Sequence, residues 1–166
     1  VGSGNIAQRH IRNLQHLFPS SDVACISASG RTIAEGETAA KYVFGNLDEG
    51  VDWAPEIAII ASPAPFHLSN AAAFVQVGIP VMIEKPLSDS IVRYQQYAEL
   101  LTQYGKIMEI AYNLRYLSSA QYMKSLVDSL YIGRVHSISI DVGQYLPDWR
   151  PGLDYTKSVS ARNALG

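Results

Sequence analysis

The stretch Val1-Gly2-Ser3-Gly4-Asn5-Ile6-Ala7 opens the chain with a G-x-G-x-x-A pattern. This pattern is typical of the turn between a buried β-strand and a helix, where backbone N–H groups bind the pyrophosphate of a dinucleotide. Gly2 permits the tight turn, Gly4 lets the phosphates approach the backbone, and Ala7 lets the helix pack on the strand. Glycine-rich helix starts also occur without ligands, so the pattern needs support from the rest of the chain.

The helix that follows this turn begins with Asn5 and Ile6. Its positive amino end would point at the phosphates, which adds both residues to the predicted nucleotide site. A turn of this kind belongs after a complete strand, and only Val1 precedes it. We therefore expect an amino-terminal fragment of a longer protein, with its first strand truncated.

Composition bounds the classes of function. Of the 166 residues, 48% are hydrophobic and 17% are charged, which is typical of a packed globular chain. The formal net charge of -2 gives no reason to expect nucleic acid or a membrane as partner. Cys25 is the single cysteine, which favours a reducing compartment, the cytoplasm. The four histidines lack metal-ligand spacing, so we predict no metal site.

Helix and strand patterns alternate over the first two thirds of the chain. Predicted helices cover residues 5–18, 31–42, 65–77 and 89–104, and predicted strands cover residues 23–27, 56–61, 81–83 and 106–112. Asp89 is the predicted cap of the last helix. This order predicts an α/β domain over residues 1–112, with a doubly wound parallel sheet of the Rossmann type.

The pattern changes after Tyr112. A helix is predicted over residues 119–131, with Met123, Leu126, Val127 and Leu130 on one face. Residues 135–145 alternate apolar and polar side chains, which predicts a strand of a sheet with one buried face. We expect an irregular loop after residue 146. Residues 113–166 are therefore predicted to begin a second domain, of the α+β kind.

The end of the second strand bears on the choice of nucleotide. An NAD site usually has an acidic residue there that binds the ribose 2′-OH, whereas this chain has Ser29 and Arg31. Arginine offers a planar fork that suits a 2′-phosphate, which favours NADP over NAD. The alternative is that Arg31 only begins a solvated helix.

A charged pair, Glu84-Lys85, follows the predicted strand 81–83 and precedes Pro86. The carboxyl ends of parallel strands are where ligands bind in a doubly wound sheet. A lysine at this place can donate to a substrate oxygen and stabilise developing charge. Taken alone, a lysine at this place is more often an ordinary surface residue.

Several motifs together resemble the Gfo/Idh/MocA oxidoreductases, the group of glucose–fructose oxidoreductase and inositol dehydrogenase. They are Gly2-x-Gly4-x-x-Ala7-x-x-His10-x-x-Asn13-Leu14, Ser62-Pro63 with His67, Glu84-Lys85-Pro86 and Asn113-x-Arg115-Tyr116. The resemblance covers essentially the whole chain. The Glu-Lys-Pro turn, at this distance from the glycine turn, is its most specific part.

The resemblance implies a role for each matching residue. Lys85 would be the active-site lysine, contacting the substrate oxygen, and Glu84 would orient it. Ser62, Pro63 and His67 would lie beside the cofactor. Arg115 and Tyr116 would contribute to substrate binding. The second domain would carry an open, mostly antiparallel sheet that forms the substrate wall and a homo-oligomer face.

The implied activity is hydride transfer between a nicotinamide cofactor and a hydroxyl-bearing carbon of a sugar or cyclitol-like substrate. The histidine that serves the family as acid/base has no match in this sequence, so we expect these residues alone to be inactive. A non-catalytic, nucleotide-binding regulator of the same fold is the alternative. A methyltransferase fits the order of elements and Lys85 poorly.

Overall fold

The structure is a computed structural model that describes residues 1–149, 152 and 154–157. The chain divides into two compact units, of which the first spans residues 1–111 and the second begins at Tyr112. No helix in the described ranges is long and apolar enough to cross a membrane.

Short parallel strands form the centre of the first unit. They are β1 (Ala24–Ile26), β2 (Tyr42–Phe44), β3 (Ala58–Ile60), β4 (Val81–Ile83) and β5 (Met108–Ile110). β1 pairs with β2, and β3, β4 and β5 form a second sheet in that order. Ile60 lies opposite Ile83, and Ile83 lies opposite Ile110, so the strands of the second sheet end level with one another. The predicted α/β class with a parallel sheet is confirmed.

Val1 and Gly2 lie between the two sheets and connect them through backbone hydrogen bonds. The N–H of Gly2 donates to the carbonyl of Ile26 in β1 at 2.8 Å. On the other side, the amino group of Val1 donates to the carbonyl of Ile59, and the N–H of Ala61 donates to the carbonyl of Val1. The glycine turn therefore starts from the middle of the parallel array.

Helices cover the strands of the first unit. They are α1 (Asn5–Leu17), α2 (Leu47–Asp52), α3 (His67–Val75), α4 (Ile91–Gln96) and α5 (Ala98–Tyr104), with 3-10 turns at Ala64–Phe66 and Gly105–Ile107. The core lies where α3 meets the strands: Leu68, Phe74 and Val75 are fully buried with Ile60 and Ile83. Burial of these apolar side chains is the main source of stability for this unit.

The helix predicted over residues 31–42 is wrong. This segment forms turns and irregular backbone, and its end joins β2. Gly36 has a φ of 83°, which a right-handed helix does not contain. Its alanines and glutamates favoured a helix, but the segment buries only Ile33 among its side chains. Propensity without an apolar face rarely maintains a helix.

Two further differences concern helix limits. The helix predicted over residues 89–104 is divided at Tyr97 into α4 and α5. Its amino-terminal cap is Ser90, whose Oγ accepts from the N–H of Arg93 at 3.2 Å, and Asp89 is not the cap. Asp89 instead binds the guanidinium of Arg93 at 2.7 Å, and this hydrogen bond holds the pKa of the carboxyl below its ordinary value. α2 was not predicted.

The second unit contains a 3-10 turn at Asn113–Tyr116 and the helix α6 (Ser118–Asp128), followed by a short helix α7 (Leu146–Trp149) and a 3-10 turn at Tyr155–Lys157. The helix predicted over residues 119–131 is therefore confirmed up to Asp128, and its predicted end is wrong because Leu130 has a φ of 56° and lies outside the helix. Met123 and Leu130 are exposed. The strand predicted over residues 135–145 is wrong, because this segment has no regular structure. A strand needs a hydrogen-bonded neighbour, and the described residues of this unit include none. Most of the predicted loop after residue 146 lies outside the described residues.

A cavity of about 570 Å³ lies beside Val1, between β1 and β3. Its walls include Ala24 and Ile26 of β1 and Ala58 and Ile59 of β3. The edges of these two strands face each other, and in the described ranges Val1 and Gly2 are the residues hydrogen bonded between them.

Candidate active site at the carboxyl edge of the sheet

The glycine turn is built so that one of its glycines cannot be replaced. Gly2 has a φ of 106°, and a Cβ on it would lie 2.6 Å from the carbonyl oxygen of Ala61 and 3.0 Å from the nitrogen of Ser62. Gly2 therefore fits only as glycine, and it brings the turn against the end of β3. Ala7 is buried, with α1 lying close to the strands as expected from a small side chain there.

The amino end of α1 is open to a ligand. None of the described side chains caps it, and the first turn of the helix contains no acidic residue. A Cβ built on Gly4 would meet no described heavy atom within 4 Å. Asn5 and Ile6 are exposed in the first helical turn, where N–H groups have no partner within the helix. This end offers hydrogen-bond donors and a partial positive charge to an anion.

Arg31 comes back to the glycine turn from the segment after β1. Its Nη2 donates to Oγ of Ser3 at 3.2 Å, and its Nη1 donates to a carboxylate oxygen of Glu37 at 2.8 Å. Ser29 is exposed in the same segment, before a positive-φ glycine, Gly30. A cation and a carboxylate therefore both lie beside the turn, although only the cation was expected from the sequence.

The turn after β3 is held by buried polar contacts. Ser62 accepts at its Oγ a hydrogen bond from Nδ2 of Asn70 at 2.9 Å. Both ring nitrogens of His67 lie 2.7 Å from carbonyl oxygens, those of Ser62 and Pro86. His67 is 2% exposed, so its imidazole connects two turns at the edge of the sheet. Pro63 lies exposed between Ser62 and the following 3-10 turn.

The Glu-Lys-Pro turn follows β4. The N–H of Glu84 donates to the carbonyl of Ile60, which extends the pairing of β3 and β4 by one residue. Oε1 of Glu84 lies 2.8 Å from Nε2 of His10 on α1, and Oε2 accepts from the N–H of Lys85 at 3.2 Å. The Lys85–Pro86 peptide bond is cis. Lys85 is exposed, and within the described chain its ammonium makes no hydrogen bond or ion pair.

These turns form one connected surface at the carboxyl edge of the sheet. The contacts of Gly2 with Ala61, of Arg31 with Ser3, and of His10 with Glu84 join the ends of β1, β3 and β4 to the amino end of α1. The surface offers N–H donors at one place and the exposed ammonium of Lys85 at another. Such an edge is where α/β proteins bind nucleotides.

Comparison with known families agrees with this geometry. The model of the Gfo/Idh/MocA oxidoreductase family, described by its NAD-binding Rossmann fold, matches residues 1–112. The chain belongs to this family.

Individual members of the Gfo/Idh/MocA family are similar to the chain at moderate identity. An inositol 2-dehydrogenase of Streptomyces avermitilis is 29% identical over 140 residues, which cover 81% of this chain and 40% of that protein. The crystal structure of myo-inositol 2-dehydrogenase from Lactobacillus plantarum matches with a TM-score of 0.67 and 25% identity, over 81% of this chain and 41% of that one.

A scyllo-inositol dehydrogenase from Lactobacillus casei, solved with bound NAD(H) and scyllo-inositol, shares the fold with a TM-score of 0.65 at 23% identity. That match covers 80% of this chain and 40% of the other. The chain thus spans about 40% of the length of the curated relatives it matches.

Sequence reasoning missed three side chains of this Gfo/Idh/MocA site. His10 belongs to the first motif but was given no role there, and its imidazole binds Glu84. Asn70 is buried against Ser62, and Glu37 is paired with Arg31. The sequence could have indicated that His10 faces the strands, because it follows the buried Ala7 by three residues and so lies on the same face of the helix. Glu37 had no signal, since the predicted helix 31–42 placed it elsewhere.

The predicted substrate residues lie in the second unit. Arg115 and Tyr116 belong to the 3-10 turn Asn113–Tyr116, and both are exposed. The guanidinium of Arg115 lies over the ring of Tyr112, 5.5 Å from its centroid. Their part in substrate binding stays a prediction.

Proposed function

We propose that the protein to which this chain belongs is a nicotinamide-dependent dehydrogenase that acts on a hydroxyl-bearing carbon of a cyclitol or sugar. The observation that carries this proposal is that an uncapped helix amino end and an exposed lysine, without a partner among the described residues, lie at one edge of the sheet. The relatives named as inositol dehydrogenases support the class of substrate. Because the chain spans about 40% of their length, the reaction is assigned to the whole protein.

The residues fit a dinucleotide. The pyrophosphate would accept hydrogen bonds from the N–H groups of Gly4, Asn5, Ile6 and Ala7, in the open space beside Gly4. Ser62 and Pro63 would border the same ligand from the end of β3. His67 would act through its hydrogen bonds to both turns, because its ring is buried. The cofactor, when bound, supplies the hydride chemistry of the reaction.

Lys85 is the proposed catalytic residue. Its ammonium would donate a hydrogen bond to the oxygen of the reacting carbon, where negative charge develops when a proton is lost. Glu84 would fix the backbone of Lys85 through the contact of its carboxylate with the Lys85 N–H. Arg115 and Tyr116 would add substrate contacts from the second unit.

For the cofactor we favour NADP over NAD, on the basis of Arg31 beside the glycine turn. The ion pair of Arg31 with Glu37 opposes this preference, because a carboxylate repels a 2′-phosphate and can accept from a ribose hydroxyl. Both side chains are about half exposed, so the pair is weak and a phosphate can displace the carboxylate. A doubly charged phosphate forms a stronger hydrogen-bonded ion pair with Arg31 than the carboxylate of Glu37 does.

Nucleotide binding by the purified chain tests the proposal. Isothermal titration calorimetry should show saturable binding of NADPH and NADH, and substitution of Lys85 by methionine should leave the affinity for ADP-ribose unchanged. In the intact parent protein the same K85M variant should lose activity by at least about 100-fold, since one catalytic hydrogen bond is removed. Absence of nucleotide binding, or full activity of K85M, would contradict the proposal.

A further inference from the structure

A side chain of α1 contacts the Glu-Lys-Pro turn. Nε2 of His10 lies 2.8 Å from Oε1 of Glu84, although 74 positions separate them in the sequence. The two side chains are only 18% and 12% exposed, so the contact is largely shielded from water. Because a carboxylate can only accept a hydrogen bond, Nε2 of His10 carries a proton and donates it. The pair joins the helix that begins at the glycine turn to the strand end that precedes Lys85.

Both oxygens of Glu84 are engaged. One accepts from His10, and the other accepts from the backbone N–H of Lys85 at 3.2 Å. The backbone of Glu84 is itself held by its hydrogen bond to the carbonyl of Ile60. The carboxylate therefore cannot rotate without breaking its contacts with both neighbours. His10 acts on the position of Lys85 through this carboxylate.

We infer that His10 is a positioning residue, which fixes the Glu84–Lys85 turn relative to the amino end of α1. The inference rests on the proposed function, in which α1 holds the pyrophosphate and the Lys85 ammonium binds the oxygen of the carbon that exchanges a hydride with the nicotinamide. Lys85 would then lie beside the nicotinamide ring. The hydrogen bond between His10 and Glu84 then sets the separation of these two parts of one ligand. Its loss weakens binding of the nicotinamide part and leaves binding of the adenosine and pyrophosphate part intact.

The test compares two ligands and four variants of the chain. NADH contains both parts of the cofactor, whereas ADP-ribose lacks the nicotinamide. H10L removes the donor, H10Q retains an N–H donor of similar reach, and H10N has an amide that is one methylene shorter than that of glutamine. H16L is the matched control, because His16 is on the same helix, is exposed and has no hydrogen bond within the described chain. Affinities are measured by calorimetry, and folding by thermal melts.

We expect H10L to bind NADH about tenfold more weakly than the unsubstituted chain and ADP-ribose equally well, because one largely buried, charge-assisted hydrogen bond is lost. H10Q should recover NADH affinity to within about threefold, and H16L should bind like the unsubstituted chain. The inference would be overturned if a folded H10L variant lost affinity for NADH and ADP-ribose equally, or lost affinity for neither. If H10L does not melt cooperatively, the NADH affinities of H10N and H10Q are compared instead. Only H10N should lose NADH affinity, and equal affinities would overturn the inference.

Failure of the proposed function gives a different binding result from failure of this inference. In that case the unsubstituted chain binds neither NADH nor ADP-ribose. The contact itself is then judged by 15N NMR of the imidazole, recorded for the chain and for its E84L variant. A protonated Nε2 of His10 whose resonance moves in E84L supports the pair, and an identical resonance in both proteins overturns it.

Discussion

At the scale of single residues, the site depends on close approach of backbone to backbone. Gly2 lies so near the carbonyl of Ala61 that any side chain would collide with it, while Gly4 borders open space. Two glycines of one motif therefore have different physical roles: the first permits the fold of the turn, and the second leaves room for a ligand. Substitutions at the two positions separate these roles.

Gly2→Ala should lower the free energy of unfolding by about 3 kcal/mol, because it adds a steric clash and an unfavourable φ. Gly4→Ala should change it by less than about 1 kcal/mol, since its φ of -73° suits alanine. The same G4A variant should bind NADH at least about tenfold more weakly, because the added methyl group occupies the phosphate space. Urea unfolding and calorimetry measure the two quantities. Wild-type NADH affinity in G4A would contradict the assigned role of Gly4.

Arg31 and Glu37 provide the residue-scale test of cofactor preference. Arg31→Ala should weaken NADPH binding about tenfold and leave NADH binding nearly unchanged, because only NADPH has the 2′-phosphate. Glu37→Gln should strengthen NADPH binding, since it frees Arg31 and removes a negative charge.

The matched control for this pair is Arg12→Ala, which removes an equal charge from an exposed position of α1. Dissociation constants for both nucleotides, measured at one ionic strength, give the ratio of NADPH affinity to NADH affinity. If the R31A substitution weakens the binding of NADPH and NADH equally, Arg31 does not select NADP.

At the scale of elements, the sequence predicted best those helices and strands whose own apolar residues form a buried face. The strands β1, β3, β4 and β5 and the inward face of α3 were found because apolar runs or helical periodicity mark them. The short helix α2 was missed, since six residues with several acidic side chains show no clear periodicity. What fixes α2 is the capping of its amino end by Asn46 and a glycine that packs on β1, and only the fold reveals that contact.

For the candidate site, the sequence indicated where the motif residues lie, and their roles stay predictions. The motif residues of the glycine turn and of the Glu-Lys-Pro turn lie at one edge of the sheet, as parallel strands require. The contacts of His10 with Glu84 and of Arg31 with Glu37 were not predicted, because side chains that meet from different elements have no fixed spacing in sequence.

The packing of α2 on β1 can be tested at Gly50. A Cβ on this buried residue would lie 2.2 Å from Cδ1 of Ile26. Gly50→Ala should therefore lower the free energy of unfolding by about 1–2 kcal/mol, despite the higher helix propensity of alanine. Adding Ile26→Val removes Cδ1 and should recover part of this loss, which a double-mutant cycle measures. A G50A variant more stable than wild type would disprove the contact.

At the scale of the whole molecule, the two parallel sheets of the first unit share one apolar core, and Val1 and Gly2 connect their backbones by hydrogen bonds. The amino group of Val1 is buried beside the cavity between β1 and β3, and its burial lowers its pKa from 8.0 to about 6. A charged ammonium there is poorly solvated, so protonation opposes folding. In a polypeptide whose first residue is Val1, stability is therefore linked to pH through this amino group.

Between pH 6 and pH 8 the unfolded chain binds more protons at this amino group than the folded chain does, so stability rises with pH in this window. The expected gain is about 2 kcal/mol between pH 6 and pH 8, with a smaller contribution just outside this window. Urea unfolding of the chain at several pH values measures the gain. The matched control extends the chain before Val1 with a few apolar residues, which removes the buried amino group and fills the cavity.

The extended chain should be more stable and should lack this component of the pH dependence. Identical pH profiles for the two chains would contradict the assignment of the effect to Val1.

A crystal structure of the chain with NADPH bound would test whether the glycine turn and Lys85 contact the two ends of one nucleotide. We expect the pyrophosphate to accept hydrogen bonds from the N–H groups of the first turn of α1, and the Lys85 ammonium to point toward the nicotinamide ring. A pyrophosphate bound elsewhere, or a nicotinamide ring well out of reach of Lys85, would contradict this expectation.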